Sequence, residues 1–263
     1  MVERRSGIPD TFLDRERAEG FGADALAYDR YRPSYPGELI AWLGEGAIGR
    51  AVDVGCGTGQ VARLLTDAGW DVTGVEADRR MAAVAARHGL DVEVGRFEDW
   101  VPDGAYDLVC SGQAWHWISP HVGYSRAAAA LRSGGRLALF WNFYRYDPAT
   151  EAELGAAFQL HEPRIWTDSV HLANAAPHDV LDPDDLRRYL APFFDAPQWR
   201  TFYHRRQLTV ADWLAEAATH SPITRLEPER RERLFDELRQ RLVTLGEVVT
   251  VNLETRDMSA LRQ

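Results

Sequence analysis

The sequence predicts an α/β fold: a doubly wound, mainly parallel sheet with helices on both faces. Three observations carry that expectation. From residue 50 onward, short apolar strands alternate with helical stretches, and right-handed crossovers then lay successive strands side by side. Two of the strands, DLVC at 107–110 and LALF at 137–140, are almost continuously apolar, as strands buried on both faces are. The first strand, AVDV at 51–54, runs into a turn with glycine at three alternate positions, Gly55, Gly57 and Gly59, and straight on into a helical pattern.

The elements follow in chain order. Residues 1–20 are charged, weakly patterned and without the apolar run of a signal peptide. Apolar spacing predicts helices near 22–30 and 37–45, separated by Pro33 and Pro36. After strand 51–54 come a helix at 59–68, a strand at 71–78, a helix at 79–89 and a third strand within 90–100. A fourth strand lies within 105–118 and ends near Ser111. The helix predicted at 121–135 is closed by Gly134 and Gly135, where a left-handed residue costs little, and the fifth strand spans 136–142.

Residues 144–195 change rhythm. They hold helical pieces broken at prolines and asparagines, read as an insertion over the end of the sheet. A sixth strand at 198–209, helices in VADWLAEAATHS and LEPERRERLFDELRQRLVTL, and a last strand within 246–262 complete the chain. Mixed charges along the second of those helices predict a solvated face. The organisation expected is a single domain over 1–263. It has an N-terminal cap at about 20–46, a ligand-binding core at about 47–143, the insertion at about 144–195 and closing elements at about 196–263.

Composition narrows the function classes. The 263 residues carry a net charge of −10, which argues against duplex nucleic acid and anionic lipid as partners. All 30 basic residues are arginine, so no mechanism needing a lysine, such as a Schiff base, is open. Cys56 and Cys110 both fall in or beside buried strands and read as reduced thiols of a cytoplasmic protein. No window approaches the length of a membrane-crossing helix. No histidine pair has metal-ligand spacing with a carboxylate nearby, so no metal is expected.

The glycine turn and its acids narrow the ligand. Glu76 ends the second strand 21 residues after Gly55, where an acid accepts from a ribose hydroxyl. The third glycine comes one residue too early for G-x-G-x-x-G, and Asp53 stands two residues before the first. An acid repels a pyrophosphate and suits a cation. The ligand expected therefore has a ribose and a positive end, as S-adenosylmethionine does, and a nicotinamide-dependent oxidoreductase is disfavoured.

These stretches resemble the class I S-adenosylmethionine-dependent methyltransferases, near their type 11 branch. VDVGCGTGQ (52–60) is similar to that family's first motif and VEADRRM (75–81) to its second. GRFEDW (95–100), CSGQAWHW (110–117) and ALRSGGRLALFWN (130–142) follow in the family's order. The resemblance implies a Rossmann-like sheet of order 3-2-1-4-5-7-6 with the last strand antiparallel. It implies S-adenosylmethionine as cofactor, with Glu76 on the ribose, Met81 under the adenine, and Phe97 and Glu98 at the adenine edge. Asp53, Gly55, Cys56, Gly57, Gly59, Ala77 and Gln113 would surround the rest, with Cys56 a small packing residue beneath it. AYDRYRPSYP resembles a cap found in one branch, in which Tyr28 and Arg32 close over the ligand. Arg32 is then either a partner for the ligand's carboxylate or a surface arginine before a proline.

The acceptor is expected to be a small aromatic or apolar metabolite, with O-methylation favoured. His116, after the fourth strand, is the candidate catalytic base, or else a contact to substrate or cofactor, or a structural histidine. Trp115, Trp117, Trp141, Tyr144 and Trp166 are candidates for the acceptor pocket, with Phe143 nearby. In a strand His116 would face away from its two tryptophan neighbours, so His116 and one tryptophan are expected at the site. His161, His171 and His178 lie in the insertion as further candidates for that pocket. A protein that keeps this fold and cofactor without transferring a methyl group would carry the same motifs. The chain is expected to work as a monomer or homodimer.

Overall fold

Alternating apolar strands and helices build the expected layers. The structure, a computed structural model, describes residues 11–46, 48–174 and 181–263. The strands are β1 (Arg50–Val54), β2 (Asp71–Glu76), β3 (Asp91–Val94), β4 (Tyr106–Gly112), β5 (Leu131–Arg145), β6 (Gln198–Thr209) and β7 (Val248–Leu261). They form one seven-stranded sheet in the order β3-β2-β1-β4-β5-β7-β6. The strands from β1 to β5 pair in parallel. β7 runs against both β5 and β6. The order and the single reversed strand are those expected.

Side-chain alternation sends each strand's residues to opposite faces. Val52 and Val54 pack with Trp100, Tyr106, Trp115 and helix α6 (Pro120–Ala130) on one face. Ala51 packs with helices α3 (Gly37–Leu43) and α4 (Gln60–Asp67) on the other. Trp42 and Trp100 are both core residues.

Helix α4 shows how the sheet holds the glycine turn. Its N-cap is Gly59, at φ +88°, which has no side chain to cap with. Asp53 on β1 does this instead: its Oδ2 accepts from the Ala62 amide, 3.1 Å away, in the helix's first turn. A carboxyl oxygen there satisfies an orphan N–H of the helix's first turn.

Two elements differ from the sequence reading. The sixth helix stops at Ala130, and β5 begins at Leu131, which pairs with Tyr106. β5 also runs on to Arg145, because β7 offers it an unbroken ladder as far as Asn252. Gly134 therefore bends the chain inside β5, with its amide bonded to the Arg262 carbonyl.

The insertion holds α7 (Pro148–His161), α8 (Pro163–Asn174) and, after it, a short helix α9 (Pro183–Asp185) that widens into a turn at Leu186–Leu190. The closing segment supplies α10 (Val210–Ala217), α11 (Ser221–Thr224) and α12 (Pro228–Leu245). α7 packs Leu154, Ala157 and Phe158 against Leu234, Leu238 and Leu242 of α12, so the charged last helix carries one buried stripe.

Candidate active site

A cavity of about 740 Å³ opens at the carboxyl ends of β1, β2, β4 and β5. In open α/β sheets this is where ligands bind. Tyr28, Arg32, Gly55, Gly57, Glu76, Ala77, Met81, Phe97, Glu98, Gln113, His116, Trp117, Trp141, Tyr144 and Trp166 all line it.

In the part bounded by β1, β2 and the loops after β3 and β4, two acids face the space, Glu76 buried and Glu98 half-buried. Glu76 takes the amides of Gly57 at 2.9 Å and Asp78 at 2.8 Å. Burial raises its pKa, and those amides oppose the rise. Glu98 is held by Arg15 at 2.7 Å and by the Ser119 amide at 3.1 Å, while its Oε2 is buried with no hydrogen-bond partner. Burial opposes its charge, but Arg15 and the Ser119 amide outweigh burial and hold the carboxyl below its ordinary value.

Gly55 has φ +66°, and a Cβ there would stand 2.5 Å from that of Ala114. Only glycine lets the loop after β4 cross so close. In that loop Gln113 takes φ 61°, the one non-glycine residue with positive φ among the described residues. Its amide donates to the Phe140 carbonyl at 2.9 Å and its side chain to the Asn142 carbonyl at 3.3 Å. Bonding at both places holds a conformation that L-residues seldom take.

The cap covers the junction of the cavity. Arg32 lies over the Tyr28 ring at 4.9 Å and donates to the Thr219 carbonyl at 3.0 Å. Its Nε is buried without a partner. Arg32 is the C-cap of α2 (Ala25–Tyr31), and it is half-buried in the cavity lining.

The part bounded by β5, α7, α8, α10 and α11 is aromatic. Phe158 stacks on Trp166 at 5.7 Å, and Gly155 leaves room for the Trp166 ring. Tyr144 donates to Glu216 at 2.7 Å, and Arg206 pairs with the same carboxylate at 2.6 Å. Tyr146 accepts from the Trp213 indole at 3.1 Å. His220 sets its ring edge-on to Tyr144 at 5.6 Å. Burial, and then Arg32, push its pKa well below the ordinary histidine value.

Four expected residues do not line the cavity. Asp53 is spent on capping α4 and is buried; burial pushes its pKa up to about 7. It therefore offers no side-chain contact to a cation in the cavity. Cys56 is buried against Gly74 of β2, where a Cβ would meet its Sγ at 2.7 Å, and burial raises its thiol well above the usual range. Gly59 packs onto Leu90 and Ala85, neither of which lines the cavity. Trp115 is turned into the core against Phe97 and Tyr124.

The last case follows from local geometry. Residues Trp115–Trp117 form a 3₁₀ turn, with about three residues per turn, so neighbours do not alternate as in a strand. His116 and Trp117 line the cavity while Trp115 does not. Trp141 Nε1 donates to His116 Nδ1 at 3.2 Å. An indole N–H can only donate, so the neutral ring carries its proton on Nε2.

His161 lies outside the cavity lining. The His171 side chain and His178 lie outside the described residues. His220, Glu216 and Trp213 escape the sequence reading, because VADWLAEAATHS carries only a helix pattern. Its single turn-breaking signal is the Ser221–Pro222 pair, which starts α11 and sets His220 as the N-cap. Among the described residues, no three His, Cys, Asp or Glu side chains are grouped to hold a metal ion. No described helix is long and apolar enough to cross a membrane.

Residues 52–139 match the methyltransferase domain family. A stretch of 132 residues is 40% identical to an uncharacterized methyltransferase of Mycobacterium tuberculosis, covering 49% of this chain and 54% of that protein. Another of 99 residues is 35% identical to trans-aconitate 2-methyltransferase of the same species, covering 37% of each chain. These matches span about half or less of the curated relatives' length. A solved structure from Anaeromyxobacter dehalogenans, assigned as a type II methyltransferase, superposes with a TM-score of 0.62 at 22% identity. That likeness covers 88% of this chain and 98% of the other, and it shows the shared fold.

Proposed function

The chain has the fold and carries the domain signature of the class I S-adenosylmethionine-dependent methyltransferases, and from that premise we propose that it methylates a small molecule. The acceptor is aromatic or apolar, and O-methylation is favoured. The observation that carries this is one continuous cavity joining two acids, Glu76 at the end of β2 and Glu98 in the loop after β3, to an aromatic chamber at the end of β5.

S-adenosylmethionine, when bound, supplies an electrophilic methyl group on a positive sulfur. Glu76 would accept from the ribose hydroxyls, with both its oxygens already oriented by backbone amides. Glu98 Oε2, buried without a partner, suits the amino group of adenine. Phe97 and Met81 would flank the adenine ring. Arg32, whose Nε is likewise unsatisfied, suits the carboxylate, with Tyr28 beneath its guanidinium. Gly55, Gly57, Ala77 and Gln113 bring backbone close to the cofactor.

Trp117, Trp141, Tyr144 and Trp166 would form the walls around the acceptor. Their task is to hold the nucleophile in line with the methyl group and keep water out, which contributes ~7–11 kcal/mol when alignment is good. Net charge −10 supports a small molecule over nucleic acid as substrate. A cytoplasmic monomer or homodimer completes the proposal. The trans-aconitate relative favours a second reading, a carboxylate acceptor.

The test is calorimetric titration with S-adenosylmethionine, S-adenosylhomocysteine and NAD, followed by incubation with methyl-labelled cofactor and a metabolite panel. Dinucleotide binding without S-adenosylmethionine binding would sink the proposal. Cofactor binding with no acceptor ever labelled would favour a protein that keeps the cofactor without transferring its methyl group.

A further inference from the structure

Resting on the methyltransferase reading, we infer that the aromatic chamber takes an uncharged ring-bearing acceptor with a hydroxyl group, and that His220, not His116, receives the hydroxyl proton.

His116 has its Nδ1 lone pair engaged by the Trp141 indole, and its proton sits on Nε2. The ring is thereby a donor at Nε2 and has no lone pair left to act as a base. His220 is placed differently. It lines the chamber, its ring makes no cap hydrogen bond to α11, and its ring contact is with Tyr144. Three elements face it with charged or titratable groups. They are Arg32 from the cap, Tyr144 on β5 and, through Tyr144, Glu216 on α10. Arg32 and burial keep the imidazole neutral, so one ring nitrogen keeps its lone pair at neutral pH.

Two tyrosine hydroxyls of the chamber are engaged within it. The Tyr144 proton goes to Glu216, and the Tyr146 oxygen accepts from Trp213. The lining favours a neutral ring by its apolar walls. Glu216 is paired with Arg206 at 2.6 Å and Arg145 with Glu254 at 3.1 Å, while Glu151 and Asp168 stand against Arg164 and Arg32. A carboxylate entering here would give up its hydration among Phe158, Trp166 and Trp213, whereas a neutral ring packs against them.

The step balances. The acceptor's O–H proton moves to a His220 nitrogen. The oxygen's electron pair forms the O–C bond to the methyl carbon while the C–S bond breaks, its pair remaining on sulfur as a thioether. One positive charge leaves sulfur as one arrives on the imidazole, so the net charge of the closed site does not change. The imidazolium then releases its proton to solvent when product leaves.

The test is calorimetric titration of naphthalene, 2-naphthol and 2-naphthoate into the protein saturated with S-adenosylhomocysteine, for wild type and His220→Phe. The expected result is 2-naphthol binding at least about tenfold more tightly than 2-naphthoate. His220→Phe should weaken 2-naphthol by about tenfold, the size of one lost hydrogen bond, and leave naphthalene within about twofold. Equal losses on naphthalene and 2-naphthol would make His220 merely structural and overturn the inference. So would 2-naphthoate binding as well as 2-naphthol, or no probe binding at all. Failure of S-adenosylhomocysteine itself to bind is read in the same titration, and would sink the cofactor proposal on which this one rests.

Discussion

Trp141 donates its indole N–H to Nδ1 of His116 across 3.2 Å, and this bond decides which of the histidine's nitrogens can accept a proton. The residue the sequence offers as a base is held as a donor by its neighbour on β5. His116→Ala should therefore lower turnover by less than about tenfold, well under the ~10²-fold loss expected of a general base. Steady-state kcat on the first acceptor found will check this. In Trp141→Phe the tautomer is no longer fixed, and nitrogen NMR of His116 should show a mixture where wild type shows the Nε2-protonated form.

Glu76 anchors both the Gly57 amide and the Asp78 amide, so its removal acts twice. Glu76→Ala should weaken S-adenosylmethionine binding by ~1.5–3 kcal/mol, the range for a hydrogen bond to a charged group. Calorimetry would measure it, and affinity unchanged from wild type would mean that the ribose is held elsewhere.

Asp53 makes folding stability depend on pH with a definite sign. Burial pushes its folded pKa up to about 7 from an ordinary 3.8, so between those values the folded state holds a proton that the unfolded chain has lost. Its contribution is fully present below the unfolded value and is lost as pH rises through 7, with a slope of up to about 1.4 kcal/mol per pH unit. Asp53→Asn keeps an oxygen for the Ala62 amide and removes the charge. Its unfolding free energy should change less than that of wild type between pH 5 and pH 7.5, as read from urea titrations at each pH.

Gly55 is constrained by its dihedral angle and by Ala114 together. Gly55→Ala should cost about 1–3 kcal/mol of stability, from strain at positive φ and the contact with Ala114. Adding Ala114→Gly should recover part of the loss by clearing the contact, and the remainder should match the dihedral strain alone. Equal stability of the single and double variants in thermal melts would remove the contact from the account.

Much of the fold could be read from the sequence because its signals are local. Strand runs such as DLVC and LALF, and the glycine turn, depend on residues that are neighbours in the chain. The extent of β5 could not be read that way. It is set by β7, more than a hundred residues further on. At the site, the positions taken from motifs, such as Glu76 and Met81, do line the cavity. Asp53 and Trp115 do not, because side-chain direction turned on a helix start and a 3₁₀ turn rather than on spacing. His220 stayed hidden because its partners, Arg32 and Tyr144, come from distant segments.

The bond from Asp53 to Ala62 has a consequence for ligand entry. It closes a ring of about ten residues around the glycine turn, with β1 at one end and the start of α4 at the other. Such a loop has lost its freedom when the protein folds, not when a ligand arrives. An incoming molecule meets backbone already in place, and its association is spared the ordering cost that a mobile glycine-rich loop would impose. Asp53 thus shapes the site from outside the cavity lining, as a clasp on the loop.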